Sequence, residues 1–126
     1  MQNFKNILII DDEAVTLRMT KLGLERLGYQ VAVFSKPQDA IDYFTKYHGV
    51  IQLVITDKNM PAISGEEILK RFKIINPEVP VAILTGFIND LEDQELKELG
   101  SIKNLLKPIS LKELTSEIEI LLSKKP

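Results

Sequence analysis

Five side chains with useful chemistry stand directly after short apolar runs of the sequence. They are Asp11, Asp12, Asp57, Thr85 and Lys107. If the three carboxylates converge, they repel one another, and at least one becomes neutral unless a cation compensates. Mg²⁺ accepts a few carboxylate ligands while it keeps several waters, and a lysine adds a second positive charge. Such a site suits an aspartate that takes up a phosphoryl group, because the two cations neutralise the transferring oxygens.

Taken singly, each of these residues has a plainer role. An aspartate after a strand often caps a helix, a threonine begins a turn, and a Lys-Pro pair is usually a loop with a solvated lysine. Asp11 or Asp12 could cap the first helix in this way. The coincidence of such residues at several strand ends favours a shared site over separate caps and turns.

The apolar runs before these residues have the length and composition of buried strands. They span residues 7–10, 31–34, 51–56, 81–84 and, more weakly, 102–106. Stretches of helical length separate them, with apolar residues at three-to-four spacing. Strict alternation of strands and helices predicts a parallel α/β sheet that helices cover on both faces. Five such units favour an open, doubly wound sheet, whose ligands bind beyond the carboxyl ends of the strands.

The helices have recognisable ends. An apolar face is predicted for the first, made of Val15, Leu17, Leu22, Leu24 and Leu27. This helix stops at Gly28, and the next three are expected at about 36–48, 64–75 and 90–99. A serine followed three residues later by glutamate predicts a capping box at the third and fifth helices, which start near Ser64 and Ser110.

Composition restricts the classes of function. The 126 residues include 16 Lys and Arg against 18 Asp and Glu, so the formal charge is −2. This near-balance argues against direct binding to nucleic acid or to a membrane surface. The absence of cysteine excludes disulfides and thiolate zinc sites, and a single histidine excludes a histidine-cluster metal site. The sequence holds no signal peptide, membrane span or linker, so we expect one cytoplasmic domain over residues 1–126.

The segments around the five side chains resemble the receiver domain of bacterial two-component response regulators, over essentially the whole chain. They read ILIIDDE at 7–13, LVITDKNMP at 53–61, VAILTG at 81–86 and LLKP at 105–108, with Ser64 and Gly65 after the second. The resemblance implies a flavodoxin-like, five-stranded parallel sheet of receiver type, with strand order 2-1-3-4-5.

The same resemblance implies roles for the site residues. Asp57 would accept the phosphoryl group, and Asp12 and Asp57 would bind Mg²⁺ directly. Asn59 would supply its backbone carbonyl to the ion, and Asp11 would act through a bound water. Lys107 would pair with Asp57 and then with the phosphate.

Two positions bear on how such a domain would switch. Thr85 would move to bond the phosphoryl oxygens and would pull the following loop with it. Many receivers carry an aromatic residue or histidine three positions before the lysine, whereas this chain has Asn104 there. A short polar side chain cannot fill the same buried space, so Phe87 is a candidate for part of the gating. Pro108 often follows a cis peptide bond in this family.

The resemblance implies a phosphorylation-dependent switch that catalyses only its own phosphorylation and dephosphorylation. The phosphoryl group would come from a sensor histidine kinase, from a histidine phosphotransfer protein or from a small donor such as acetyl phosphate. Output would go to a downstream protein target or a fused output domain, through the face between Asp90 and Leu122, where a homodimer could also form. The alternative is a degenerate receiver that binds partners without phosphorylation, which Asn104 keeps open.

Two further classes fit the sequence less well. An aspartyl phosphohydrolase needs a second Asp two residues after the nucleophile, where this chain has Asn59. An FMN-binding flavodoxin needs a phosphate loop after the first strand, where acidic residues would repel the phosphate. His48 ends a predicted helix far from the strand ends, so we expect a solvated surface residue and not a phosphodonor.

Overall fold

The structure is a computed structural model that describes residues 6–123. In that range five strands alternate with five α-helices. The strands are β1 (Asn6–Ile10), β2 (Gln30–Phe34), β3 (Leu53–Asp57), β4 (Val81–Thr85) and β5 (Ser101–Leu106). The helices are α1 (Ala14–Arg26), α2 (Pro37–Tyr47), α3 (Gly65–Ile75), α4 (Asp90–Glu98) and α5 (Leu111–Ser123). A short 3₁₀ helix, His48–Val50, precedes β3.

All five strands are parallel and form one sheet in the order β2-β1-β3-β4-β5. The predicted fold class and strand order are therefore confirmed. In register, Ile10 pairs with Thr56 and Asp57 with Leu84, so the carboxyl ends of the central strands meet at one edge. Within residues 6–123 no helix combines the length and the apolar character that a bilayer crossing requires.

Helices cover both faces of the sheet and enclose two apolar cores. Helices α1 and α5 pack on one face, where Leu24 and Ile118 are fully buried. The other face packs against α2, α3 and α4. There Phe44 and Phe72 stack with ring centroids 4.0 Å apart and planes 7° from parallel. Burial of both faces of the sheet explains why consecutive residues of the strands are apolar and do not alternate with polar ones.

The apolar face expected on α1 is only partly buried. Leu17 and Leu24 are buried, whereas Val15, Leu22 and Leu27 are exposed. Val15 and Leu22 each lie two residues from a buried leucine, which turns them about 200° around the helix. Leu27 follows the last helical residue as its C-cap. The helix therefore buries one narrow stripe and shows a second apolar stripe to solvent.

The two predicted capping boxes differ. At α5, Ser110 N donates to Glu113 Oε1 at 3.0 Å, and Glu113 N donates to Ser110 Oγ at 3.1 Å. At α3, Glu67 N donates to Ser64 Oγ at 3.2 Å, but the Glu67 carboxylate pairs with Arg71 at 3.1 Å. Only the α5 box is complete, because at α3 an i,i+4 ion pair takes the glutamate.

Candidate functional site

Three of the predicted site residues meet at the carboxyl edge of the sheet. Asp11 follows β1, Asp57 ends β3, and both residues are buried, with 3% and 6% of their surface exposed. Lys107 follows β5 and extends towards them. Its Nζ lies 3.3 Å from Asp11 Oδ2 and 3.3 Å from Asp57 Oδ2. Parallel strands place these residues together although up to 96 positions separate them along the chain.

Burial and charge oppose each other in this cluster. Burial raises the pKa of Asp57; Lys107 opposes this shift, and the nearby Asp11 carboxylate adds to it. Burial by itself would lower the pKa of Lys107, but the charges of Asp11 and Asp57 outweigh it and raise that pKa. Two buried carboxylates therefore share one ammonium, and the site is short of positive charge.

Asp12 completes an acidic group that fits a hard divalent cation. Carboxylate oxygens of Asp11, Asp12 and Asp57 lie within 4.8 Å of one another, and Asp12 is exposed at the mouth of the site. All three offer oxygen ligands, which Mg²⁺ prefers. Asp11 Oδ1 accepts a hydrogen bond from Glu13 N at 3.0 Å, which fixes this carboxylate in a turn before α1. Glu13 is the N-cap of α1, so neither aspartate caps the helix.

Thr85 lies at the end of β4, and its hydroxyl makes hydrogen bonds to Phe87 and not to Asp57. Thr85 Oγ1 donates to the carbonyl oxygen of Phe87 at 2.9 Å and accepts from Phe87 N at 3.4 Å. Lys107 N donates to Thr85 O at 2.7 Å, which joins the ends of β4 and β5. In this state the hydroxyl bonds to its own loop, and it would have to leave Phe87 to reach a phosphoryl group.

The segment after β3 is positioned by Gly65. Gly65 N donates to Lys58 O at 2.8 Å, and a Cβ at Gly65 would overlap Asp57 O and lie 2.8 Å from Lys58 Cα. The first turn of α3 therefore packs directly on the backbone of the predicted acceptor. Asn59 is exposed, and a hydrogen bond from its backbone contributes to lowering the pKa of Asp57 against the larger effect of burial.

Asn104 is fully engaged at the place where the resemblance leads one to expect an aromatic residue. Its Nδ2 donates to Asp93 Oδ1 at 2.9 Å and to Asp93 O at 3.2 Å. Its Oδ1 accepts from Ser101 Oγ at 2.6 Å. The side chain therefore joins β5 to α4 in place of a switching ring.

One ion pair near the site joins residues that no sequence pattern links. Lys58 Nζ lies 2.8 Å from Glu92 Oε2, so the residue after Asp57 is paired with α4. The two residues of this ion pair are 34 positions apart and follow no periodic pattern, so no sequence signal could have identified the pair.

The remaining expectations concern the surroundings of the site. Phe87 is largely exposed beside it, and the Lys107–Pro108 peptide bond is cis. His48 begins the 3₁₀ helix that leads to the opposite end of β3, far from the carboxyl edge. The expectation of a solvated histidine is wrong: His48 is half-buried, its Nδ1 is buried without a hydrogen-bond partner, and its ring lies 5.9 Å from Phe44.

An open parallel sheet with paired buried aspartates and a lysine at its carboxyl edge defines a doubly wound α/β protein whose ligand site is acidic. Residues 7–119 match the family model of the response regulator receiver domain, and the chain belongs to this family. Membership of this family makes the chain part of a two-component regulatory system.

Two curated relatives illustrate the family. Sporulation initiation phosphotransferase F of Bacillus subtilis (strain 168) is 33% identical over 119 residues, which cover 94% of this chain and 94% of that protein. Transcriptional regulatory protein PcoR of Escherichia coli is 32% identical over 94% of this chain. The chain spans about half of PcoR, 51% of its length.

Solved structures agree with the fold. The crystal structure of a response regulator receiver domain protein from Clostridium thermocellum has a TM-score of 0.87 and 33% identity, and the match covers 95% of each chain. A CheY-like receiver domain protein from Methanospirillum hungatei has a TM-score of 0.89 at 24% identity, over 97% of this chain and 96% of that one. The second likeness concerns the fold alone.

Proposed function

We propose that residues 1–126 form a single receiver domain that acts as a switch when Asp57 takes up a phosphoryl group in a Mg²⁺-dependent reaction. The observation that carries this proposal is the sharing of one ammonium, that of Lys107, by two buried carboxylates at the carboxyl edge. Burying two carboxylates beside a single cation is unfavourable, unless a further cation binds there or a reaction makes use of the excess negative charge. The chain acts on its own aspartate and is not an enzyme for an external substrate.

The chemistry is a phosphoryl transfer to a carboxylate. An Asp57 oxygen attacks the phosphorus of the donor, and a new P–O bond forms. The P–N bond of a phosphohistidine breaks with its electron pair on the imidazole nitrogen; with acetyl phosphate, a P–O bond breaks and acetate leaves. Lys107, already 3.3 Å from Asp57, follows the negative charge onto the phosphoryl oxygens. The Thr85 hydroxyl leaves the carbonyl of Phe87 and donates to the same oxygens.

Four residues would hold the magnesium ion. Asp12 and Asp57 would ligate it directly, Asn59 would add its backbone carbonyl, and Asp11 would contact it through water. The clustering of the three carboxylates within 4.8 Å supports this assignment. When bound, the ion supplies positive charge to the transferring phosphoryl oxygens.

The donor protein would be a sensor histidine kinase or a histidine phosphotransfer protein. Support comes from an apolar surface next to the site: Val15, Met19 and Leu22 are exposed at i, i+4 and i+7 on α1. Beside Met19 a cleft of about 440 Å³ runs between α1 and the loop after β5, and Lys107 lines it. A helix that carries the phosphohistidine could bury its apolar side against this surface.

The output would be a downstream protein or a fused domain that reads the face between Asp90 and Leu122. Leu91 and Leu106 are exposed on this face, and it is also where we propose that a homodimer could form. Similarity to PcoR along half of that protein supports a fused output domain. Similarity to the phosphotransferase along 94% of its length supports a relay role.

The first experiment measures the intact mass of the chain after incubation with acetyl phosphate and Mg²⁺. We expect the mass of one phosphoryl group to be added, and the addition to be lost in Asp57→Asn and when Mg²⁺ is chelated. Asp42→Asn is the matched control and must still react. It changes an aspartate on α2 that accepts a hydrogen bond from Gln38. A phosphorylated histidine phosphotransfer protein is the second donor. No addition from either donor would contradict the proposed function.

A second candidate function is partner binding without phosphorylation, and one observation favours it. Asn104 joins β5 to α4 through Asp93, at the position where many receivers carry an aromatic residue or histidine that moves on phosphorylation. If this reading holds, a partner binds the chain and its Asp57→Asn variant with the same affinity. Binding that strengthens only after phosphorylation would exclude it.

A further inference from the structure

Helix α4 is attached to the sheet by little apolar contact. Between Asp90 and Glu98, Leu96 is the one buried residue, and Leu91 in the first turn is exposed. Helices in proteins are stabilised mainly by packing of an apolar face. Polar contacts therefore provide a larger share of the attachment of α4 than they do for the other helices.

Two polar contacts hold the first turn of α4. Glu92 Oε2 lies 2.8 Å from Lys58 Nζ in the segment after β3. The next residue, Asp93, accepts a 2.9 Å hydrogen bond from Asn104 of β5. Consecutive helix residues point about 100° apart. The two contacts therefore join α4 to the segment after β3 and to β5.

Lys58 follows the acceptor aspartate directly and has a fixed backbone. Its N–H donates to Leu84 O at 2.7 Å, and its carbonyl accepts from Gly65 N at 2.8 Å. Its side chain is only 16% exposed, so solvent screens its charge less than at an open surface. The ammonium stands on a flexible four-carbon stem and can exchange partners without movement of the backbone.

We propose that the Lys58–Glu92 ion pair couples the state of Asp57 to the position of α4. The inference rests on the proposed function, because phosphorylation of Asp57 is the trigger. In the unphosphorylated protein Lys58 holds α4 through Glu92. A phosphoryl group on Asp57 draws the Lys58 ammonium away from Glu92, and α4 loses one of its two polar contacts.

The balance of charge favours this exchange. Lys107 is already shared between Asp11 and Asp57. Phosphorylation replaces the single negative charge of the ionised Asp57 carboxylate with the roughly −1.5 to −2 charge of a phosphoryl group at neutral pH, which one shared lysine does not balance. Glu92 offers Lys58 a single negative charge, so the phosphoryl group beside it is the stronger partner. The exchange needs no aromatic residue at position 104 and therefore suits a chain in which Asn104 is engaged elsewhere.

The test follows backbone hydrogen exchange of α4 by mass spectrometry in the full chain. The variants are Lys58→Met, Glu92→Gln and the double variant. Lys103→Met is the matched control, because it removes a 2.7 Å ion pair with Glu117 that joins β5 to α5. Exchange in α3 is the internal reference for an intact fold and must not change.

Without phosphorylation, we expect each single variant to accelerate exchange of α4 roughly three- to tenfold, as expected for loss of a partly buried ion pair. The double variant should add nothing beyond either single change, since both remove the same contact. The Lys103→Met control should leave α4 at the wild-type rate. Wild-type exchange of α4 in both single variants would overturn the proposal.

With phosphorylation, we expect α4 of the wild-type chain to exchange faster by a similar factor, and α4 of the variants to show no further increase. An equal increase in Lys58→Met and wild type would overturn the coupling even if Asp57 is phosphorylated. Intact mass separates the two failures. If no phosphoryl group is added, the proposed function fails and the coupling falls with it, whereas normal addition without a change in α4 contradicts the coupling alone.

Discussion

Helices α3 and α4 lie on the same face of the sheet, yet different forces hold them there. Each begins beside the site, and a side chain caps each N-terminus, Ser64 for α3 and Asn89 for α4. Helix α3 buries Ile68, Leu69 and Phe72, whereas α4 buries a single leucine and depends on polar contacts.

Because of this difference, α3 keeps its position on the sheet, whereas α4 can move. Apolar burial is insensitive to local charge, so a new phosphate does not alter the attachment of α3. Ion pairs and hydrogen bonds respond to charge, so α4 can change position when the site changes. Elements that move in regulation come from the less stable parts of a fold.

A pair of core truncations tests the contrast directly. Phe72→Ala removes a ring that stacks on Phe44 in the core, and we expect the free energy of unfolding to fall by about 3–5 kcal/mol. Leu96→Ala should cost less, about 2 kcal/mol, because α4 is otherwise exposed and can adjust. Urea unfolding gives both values. Equal losses would contradict the view that α3 is the more firmly packed helix.

Asp57, the proposed acceptor, should be a source of instability between the two helices. We expect Asp57→Asn to raise the free energy of unfolding at pH 7 by about 1 kcal/mol, or roughly 4 °C in Tm. Burial raises the pKa of Asp57 in the folded state, so ionisation at neutral pH favours the unfolded chain.

The pH dependence of this gain checks its cause. As the pH falls through the folded-state pKa of Asp57 and then below about 4, the carboxyl is neutral in both states and the advantage of the variant should vanish. Thermal melts from pH 7 to pH 3 in the absence of Mg²⁺ measure it. A gain that persists unchanged at pH 3 would mean that packing, and not charge, is responsible.

The smallest effect should come from the second polar contact of α4. Asn104→Ala removes the hydrogen bonds to Asp93 and leaves Ser101 Oγ without this partner, so we expect a loss of about 0.5–1 kcal/mol. Hydrogen exchange should rise in α4 and β5 but not in α3. A loss above about 3 kcal/mol would place Asn104 among the core residues.

Much of the fold was predictable because its signals are local. Continuous apolar runs gave strands within two residues of the observed ones, and Ser110 with Glu113 correctly predicted the start of α5. The resemblance to receivers supplied the strand order. The strand predicted from residue 51 begins at Leu53, because Ile51 is buried after the 3₁₀ helix without joining the sheet.

The convergence of the candidate residues was predictable, but their individual contacts were not. Residues that end parallel strands must meet at one edge, so Asp11, Asp57 and Lys107 were identified from position alone. The direction of the Thr85 hydroxyl was not, since it depends on the loop that follows. Nor was the pairing of Lys58 with α4, because the sequence alone does not show which acidic residue a lysine after a strand will meet in the fold.

The exposed residues of the two helices have a practical consequence. Ile74 near the end of α3 is 82% exposed and Leu91 at the start of α4 is 67% exposed, and the chain has no cysteine. Replacing both with cysteine would create two thiols for a donor and an acceptor dye, at sites where substitution costs little stability. Because one dye would sit on the fixed helix and the other on the movable one, energy transfer between them would convert phosphorylation into a colour change. The domain would then serve as a fluorescent sensor of its proposed phosphoryl donor.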